Sequence, residues 1–329
     1  VAKFYNFLYI KKMKVLKFFI ISAAFLTLIL GVTAVSAATE TPASPESSSQ
    51  TAWWIWPLVL LILSFVLGVF AVLAGVGGGV LFVPIVSGFL PFHLDFVRGA
   101  GLIVALSGAL AAGPGLLKRG LADLRLAIPV ALIASTSAIF GAMIGLALPT
   151  KVVQTLLGAT IMGIVIIMIK AKKSEFPDVP KPDALSQSLR IMGVYHEPTI
   201  DKEVNWQVHR TPVGLMLFIL IGIMAGMFGL GAGWANVPVL NLVMGAPIKI
   251  SVATSKFLLS ITDTSAAWIY LNNGAVLPLM VVPSVIGIML GSFVGVKVLM
   301  VTKPVIIRIL VIVVLGIAGL KALLKGLGI

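Results

Sequence analysis

A ten-residue stretch occurs twice in this chain at a fixed offset. Gly75-Val76-Gly77-Gly78-Gly79-Val80-Leu81-Phe82-Val83-Pro84 returns 154 residues later as Gly229-Leu230-Gly231-Ala232-Gly233-Trp234-Ala235-Asn236-Val237-Pro238. The same offset pairs Gly68 with Gly222, Ala71 with Ala225, Gly120 with Gly274, Pro129 with Pro283 and Gly141 with Gly295. Glycine and proline set backbone geometry more strictly than other residues. Their recurrence in one register describes two halves that bend alike, an internal duplication over residues 53–172 and 212–327.

Composition decides what those halves are made of. The chain is 59% hydrophobic and 11% charged, with a mean hydropathy of +1.13. A soluble domain needs roughly a quarter of its residues charged, so this is a multi-pass protein of the cell membrane. Several apolar runs reach the ~20 residues that a helix needs to span the hydrocarbon. The ~10-residue alternating segments of a membrane barrel are missing. The fold class is therefore all-α and polytopic, with the lipid bilayer as its surroundings. The net charge of +13 sits at the ends of apolar runs, where it sets topology rather than binding nucleic acid. There is no cysteine, and His93, His196 and His209 form no metal-spaced pair, so no cofactor or metal is expected.

Residues 1–38 read as a secretory signal peptide or an uncleaved N-terminal anchor. Lys3, Lys11, Lys12, Lys14 and Lys17 precede an apolar run from Phe18, and Val35-Ser36-Ala37 offers a cleavage site. Residues 39–52 are a polar Pro/Ser-rich linker. Membrane repeat 1 (53–172) holds apolar segments at 53–74, 79–92, 97–117, 122–148 and 151–170; membrane repeat 2 (212–329) holds them at 212–228, 233–246, 250–271, 275–300 and 304–325. The second segment of each half is short: it crosses obliquely, re-enters, or continues a helix broken at the glycines. The connector 173–211 is polar. Its partly alternating runs Leu189–Tyr195 and Val204–His209 predict a small cytoplasmic β-hairpin, either a solvated connector or a regulatory element.

Charge orients the two halves oppositely. Lys118, Arg119 and Arg125 flank the third-to-fourth turn of the first half, and Lys170, Lys172 and Lys173 follow its fifth segment. The second half has the uncharged Asn272-Asn273-Gly274 at the equivalent turn, while Lys303 and Arg308 flank its fourth-to-fifth turn. An odd number of crossings per repeat gives this pattern, with the second half inserted upside down. Lys321 and Lys325 run against the bias.

Two groups of residues could carry chemistry. A break in helical backbone at Gly77, Gly78 and Gly79, and again at Gly231 and Gly233, would aim restarting helix N-termini into the protein, where an anion binds well. Two such termini from inverted repeats would converge near the midplane, as in many secondary transporters. Close helix packing is the alternative reading of the same glycines. Asn236 and Trp234 adjoin the second break. The other group lies inside an apolar segment: Thr254, Ser255, Lys256, Ser260 and Asp263. Lys256 and Asp263 are seven apart and share a helix face. Ionisable residues inside a membrane mark a pathway unless they only neutralise each other. In the first reading Lys256, Thr254 and Ser255 contact an anion, and Asp263 is the coupling group, the one deeply placed carboxylate available to carry a proton. The first half has Gly99-Ala100-Gly101-Leu102 and Ala109 at these positions, so the polar site is asymmetric. Arg98, opposite Val252, is expected to mark an interface end.

The twofold glycine run ending in Val-Pro, with Met244-Gly245-Ala246-Pro247 leading to Ala253-Thr254-Ser255, resembles the TauE/SafE family of sulfite exporter-like membrane proteins. The resemblance spans residues 53–327. It departs from the family pattern at Gly99-Ala100-Gly101, where an Ala-Thr-Ser type sequence is expected. It implies a transporter of sulfite, organosulfonates or other small sulfur-containing anions. An anion channel of the same fold is the alternative, and an enzyme would need a nucleophile–base or metal constellation that is not seen.

Overall fold

A computed structural model describes residues 54–74, 77–117, 122–170, 177, 179, 181–197, 202–299 and 304–328. The expected leader and linker lie outside the described residues, as do Lys118, Arg119, Lys172 and Lys173. The first half contains α1 (Ile55–Ala74), α2 (Gly78–Phe89), α3 (Leu94–Leu117), α4 (Leu124–Ala147) and α5 (Thr150–Lys170). The connector holds α6 (Ala184–Ser188), β1 (Met192–Glu197) and β2 (Lys202–Gln207). The second half contains α7 (Thr211–Phe228), α8 (Gly233–Pro238) running into a π-helical turn (Val239–Val243), α9 (Ile248–Asn272), α10 (Pro278–Leu299) and α11 (Pro304–Leu327). Among the described residues, six helices are long and apolar enough to cross a membrane: α1, α3, α4, α5, α7 and α10. The chain is thus an all-α polytopic membrane protein. The 12 residues of α2 cover only about 18 Å at the helical rise.

The halves are interleaved rather than side by side. The first helix of each packs along the fourth helix of the other, α1 on α10 and α7 on α4. Both pairs are parallel and held at backbone distance by glycine. Gly287, Gly291 and Gly295 face the backbone at Leu61, Phe65 and Val69, while Gly222 and Gly226 face Ala134 and Ala138. The contacts repeat at the sequence offset. A Cβ on Gly68 would meet the Ile288 carbonyl at 2.5 Å, and one on Gly222 would meet the equivalent Ala134 carbonyl at 2.4 Å. Without hydrophobic drive between helices in lipid, such close approach supplies the packing energy. The fifth helices, α5 and α11, pack against each other antiparallel, with Gly326 on Thr155, Gly158 on Leu323 and Gly319 on Ile161.

Helix ends explain two runs of residues. Lys325 Nζ donates to the Ser87 carbonyl at 3.2 Å, and the Lys321 ammonium lies 4.2 Å from the Phe89 ring centroid. Both lysines that run against the topological bias therefore serve the negative C-terminal end of α2. Met244-Gly245-Ala246-Pro247 is the turn into α9. Gly245 is left-handed (φ +80°), and the Ala246 carbonyl accepts from Asn241 Nδ2 at 2.8 Å and Ser251 Oγ at 3.1 Å.

The connector forms an antiparallel hairpin that pairs Gly193 with Trp206 and Tyr195 with Val204. It is docked, not simply solvated: Ile191, Tyr195, Trp206 and Val208 are buried in a cluster with residues of α4, α7 and α9. Asp183 fixes it to the first turn of α7. Its Oδ1 accepts from Thr211 Oγ1 at 2.8 Å and its Oδ2 from the Thr211 amide at 3.2 Å. Partial burial alone would push this carboxyl up, but hydrogen bonds from Ser186 and Thr211 more than offset that and hold it below the ordinary 3.8. A depressed carboxyl stabilises fully above the ordinary value and loses its contribution as pH falls through the lower folded-state value. Asp183→Asn is expected to cost about 1 kcal/mol at neutral pH, the net worth of a lost hydrogen bond, and to flatten the acid limb of unfolding midpoint against pH. A parallel acid limb in the variant would show that Asp183 carries none of it.

Candidate functional site at the paired helix breaks

The helical backbone is interrupted twice, after Ala74 and after Phe228. At the second break Gly229 and Gly231 both have φ +69°, a left-handed conformation that L-residues rarely adopt. The two restarting helices meet. A Cβ on Gly233, the first residue of α8, would lie 2.8 Å from the amide nitrogen of Gly77, which caps α2. Leu259 of α9 closes the junction, 3.7 Å from the same construction on Gly77 and 3.2 Å from that on Gly233. Gly78 and Gly79 are closely packed: their added Cβ atoms would meet Ile288 at 3.0 Å, and the Leu230 and Gly101 carbonyls at 2.7 and 2.8 Å.

Asp263 comes to this junction from the middle of α9. Its Oδ2 lies 2.8 Å from where a Gly231 Cβ would be, with Ala105 of α3 beside it. The Ala232 amide faces the carboxylate from the break, yet neither carboxylate oxygen has a partner at hydrogen-bond geometry. Thr262 Oγ1, Trp234 Nε1 and both side-chain polar atoms of Asn236 are likewise buried and unpartnered. Unpaired buried polar atoms are costly and uncommon, and here the second break and the adjoining turn of α9 hold several. The neighbouring hydroxyls on α9 are satisfied locally: Ser260, Thr264 and Ser265 each bond back to a carbonyl three or four residues earlier.

Lys256 is buried and acts electrostatically on Asp263, but the two do not form an ion pair within 4.0 Å. They are separated by about 10 Å of helix rise. Thr254 and Ser255, the two residues before Lys256 on the connector side, are also buried. Thr254 Oγ1 accepts from the Asp123 amide at 3.3 Å, at the entry to α4. The structure thus joins Gly77, Gly231, Gly233 and Asp263 at one place and sets Thr254 about 14 Å from Asp263 along α9.

Sequence reasoning missed the other end of the second break. Arg98, expected at an interface end, is 1% exposed and is the largest fully buried side chain among the described residues. Its Nη1 donates to the Met227 carbonyl at 2.9 Å, its Nη2 pairs with Asp95, and its guanidinium lies over the Tyr270 ring. Tyr270 Oη donates to the Gly226 and Met227 carbonyls at 3.0 and 3.2 Å. A helix that stops inside a membrane leaves its last carbonyls unpaired, and these two side chains supply the donors. The available signal was a charge five residues inside an apolar helix with no counterpart in the other half.

The family described as Sulfite exporter TauE/SafE matches residues 59–322, which cover both halves and the connector. The chain belongs to the TauE/SafE family. A relative of this TauE/SafE protein, "Probable membrane transporter protein YunE" of Bacillus subtilis (strain 168), is 21% identical over 226 residues, covering 66% of this chain and 79% of the relative. No solved structure matches. Family and relative together make this TauE/SafE chain a membrane transport protein.

Proposed function

We propose that the protein moves a small sulfur-containing anion, sulfite or an organosulfonate, across the membrane by alternating access. The observation that carries this reading is the cluster of buried, unpartnered polar groups at the junction of two broken helices. Trp234 Nε1 and Asn236 Nδ2 are buried donors without acceptors of their own, the starts of α2 and α8 adjoin them, and Lys256 supplies positive charge on α9. An oxyanion satisfies all of these at once. Thr254 and Ser255 lie on the route between Lys256 and the connector side, and Asp263 is the group available for coupling.

The antiparallel packing of α5 on its equivalent α11 supports inverted halves. A twofold axis running across the helices reverses equivalent helices, whereas one running along them leaves them parallel. Two similar halves of opposite orientation give two nearly equal arrangements around one site, which is the requirement for alternating access.

Sulfite uptake into proteoliposomes tests the proposal. Wild-type flux is expected to saturate, and Lys256→Ala to lower it by about ten- to a hundredfold, the loss for a buried charged hydrogen-bond partner. Equal flux in both proteins removes Lys256 from the path. Flux that rises linearly without saturation replaces the carrier with a pore.

A further inference from the structure

The charges at the junction constrain what can cross with what. Among the described residues, Lys256 and Asp263 lie in the central turns of α9, and the central turns of the six membrane-length helices carry no ionised group. Arg98 is already committed to Asp95 and the Met227 carbonyl. Asp263 meets Ala105 from α3, and Gly231 and the Ala232 amide from the break; the charge acting on it is Lys256, from its own helix. The break brings no further ionised group.

From this placement we propose that the site takes one singly charged anion together with one proton on Asp263, so that neither the loaded nor the empty form carries net charge across the membrane. The inference rests on the transport reading above. With Lys256 and Asp263 both ionised, the empty site is neutral overall. A monoanion added to that pair leaves one uncompensated negative charge in surroundings that penalise it by kilocalories. Protonating Asp263 removes the excess, and both carboxyl oxygens, buried and unpartnered, have room for the proton. A protonated carboxyl is also a donor facing the junction, whereas an ionised one would repel the substrate. The proton enters with the anion and leaves with it, and no bond is made or broken in the anion. A dianion would keep an unbalanced charge even with Asp263 protonated. The substrate class is therefore the singly charged oxyanion: a simple sulfonate or hydrogen sulfite rather than a sulfonate that also carries a carboxylate.

Proteoliposomes with the membrane potential clamped provide the test. Methanesulfonate is the first probe, because its own charge does not change with pH, and sulfite in mild acid is the second. Wild-type initial rates are expected to rise with an inward proton gradient yet change less than about twofold with potential, where a cycle moving one charge would change tens-fold. Methanesulfonate is expected to outcompete the doubly charged sulfoacetate. In Asp263→Asn the returning empty site carries the Lys256 charge, so its flux should follow potential and ignore the proton gradient. Potential-driven wild-type flux, or Asp263→Asn flux that still follows the proton gradient, overturns the stoichiometry while leaving transport intact. Absence of flux for both probes in well-folded wild type overturns the transport reading and this one with it. If the variant does not fold, the wild-type potential measurement decides alone.

Discussion

Replacing Gly229 by alanine is expected to abolish stable protein, whereas the same change at Gly274 leaves it folded. Both glycines are left-handed, at φ +69° and +68°, so both substitutions carry the backbone penalty of about 1–2 kcal/mol. The surroundings separate them. A Cβ on Gly274 meets nothing within 4 Å, but one on Gly229 would lie 2.3, 2.5 and 2.7 Å from the carbonyl oxygen, Cα and carbonyl carbon of Arg98. Those are backbone atoms of a packed helix and cannot swing away as a side chain tip would. Relief requires α3 to shift from the second break, which also moves Arg98 off the carbonyls it caps. Yield and monodispersity in detergent, compared for the two variants, give the answer. Similar yields would mean that the break is plastic and that the close approach is incidental.

Arg98→Ala is expected to cost on the order of 3 kcal/mol, the scale for removing one partner of a buried ion pair. The loss has three sources. Asp95, 29% exposed, keeps part of its charge next to protein without a partner. The Met227 carbonyl loses its guanidinium donor and retains only Tyr270. A large cavity replaces the bulkiest fully buried side chain among the described residues. Arg98→Lys should recover only part of the loss, because an ammonium cannot bridge a carboxylate and a carbonyl in one plane. Thermal unfolding midpoints of the purified variants decide this, and an unchanged midpoint for Arg98→Ala would show that Tyr270 alone satisfies the helix end.

The features that could be read from sequence were those written in glycine and proline. The duplication, the breaks near Gly77 and Gly231 and the meeting of two helix starts follow from backbone requirements that local sequence expresses directly. The connector hairpin followed from alternation. The placement of Lys256 and Asp263 on one face of α9 followed from their spacing. What could not be read depends on partners far away in the chain. Arg98 looks like a boundary charge until the Met227 carbonyl, 129 residues distant, is seen to need a donor. Nothing near Thr254 in the chain announces that its Oγ1 accepts from the Asp123 amide, 131 residues away. The lysines of α11 look like misplaced topology signals until the end of α2 arrives next to them. In each case one polar atom answers another that only the tertiary packing brings near.

The interleaving of α1 with α10 has a consequence for biogenesis. At roughly 5–20 residues per second, the ribosome finishes α10 on the order of tens of seconds after α1. During that interval the surface of α1 that will receive Gly287, Gly291 and Gly295 has no protein to close upon and must be shielded by lipid or by the insertion machinery. The connector and the second half are therefore assembly partners of the first, and a chain truncated after the connector is a substrate for membrane quality control rather than half a transporter.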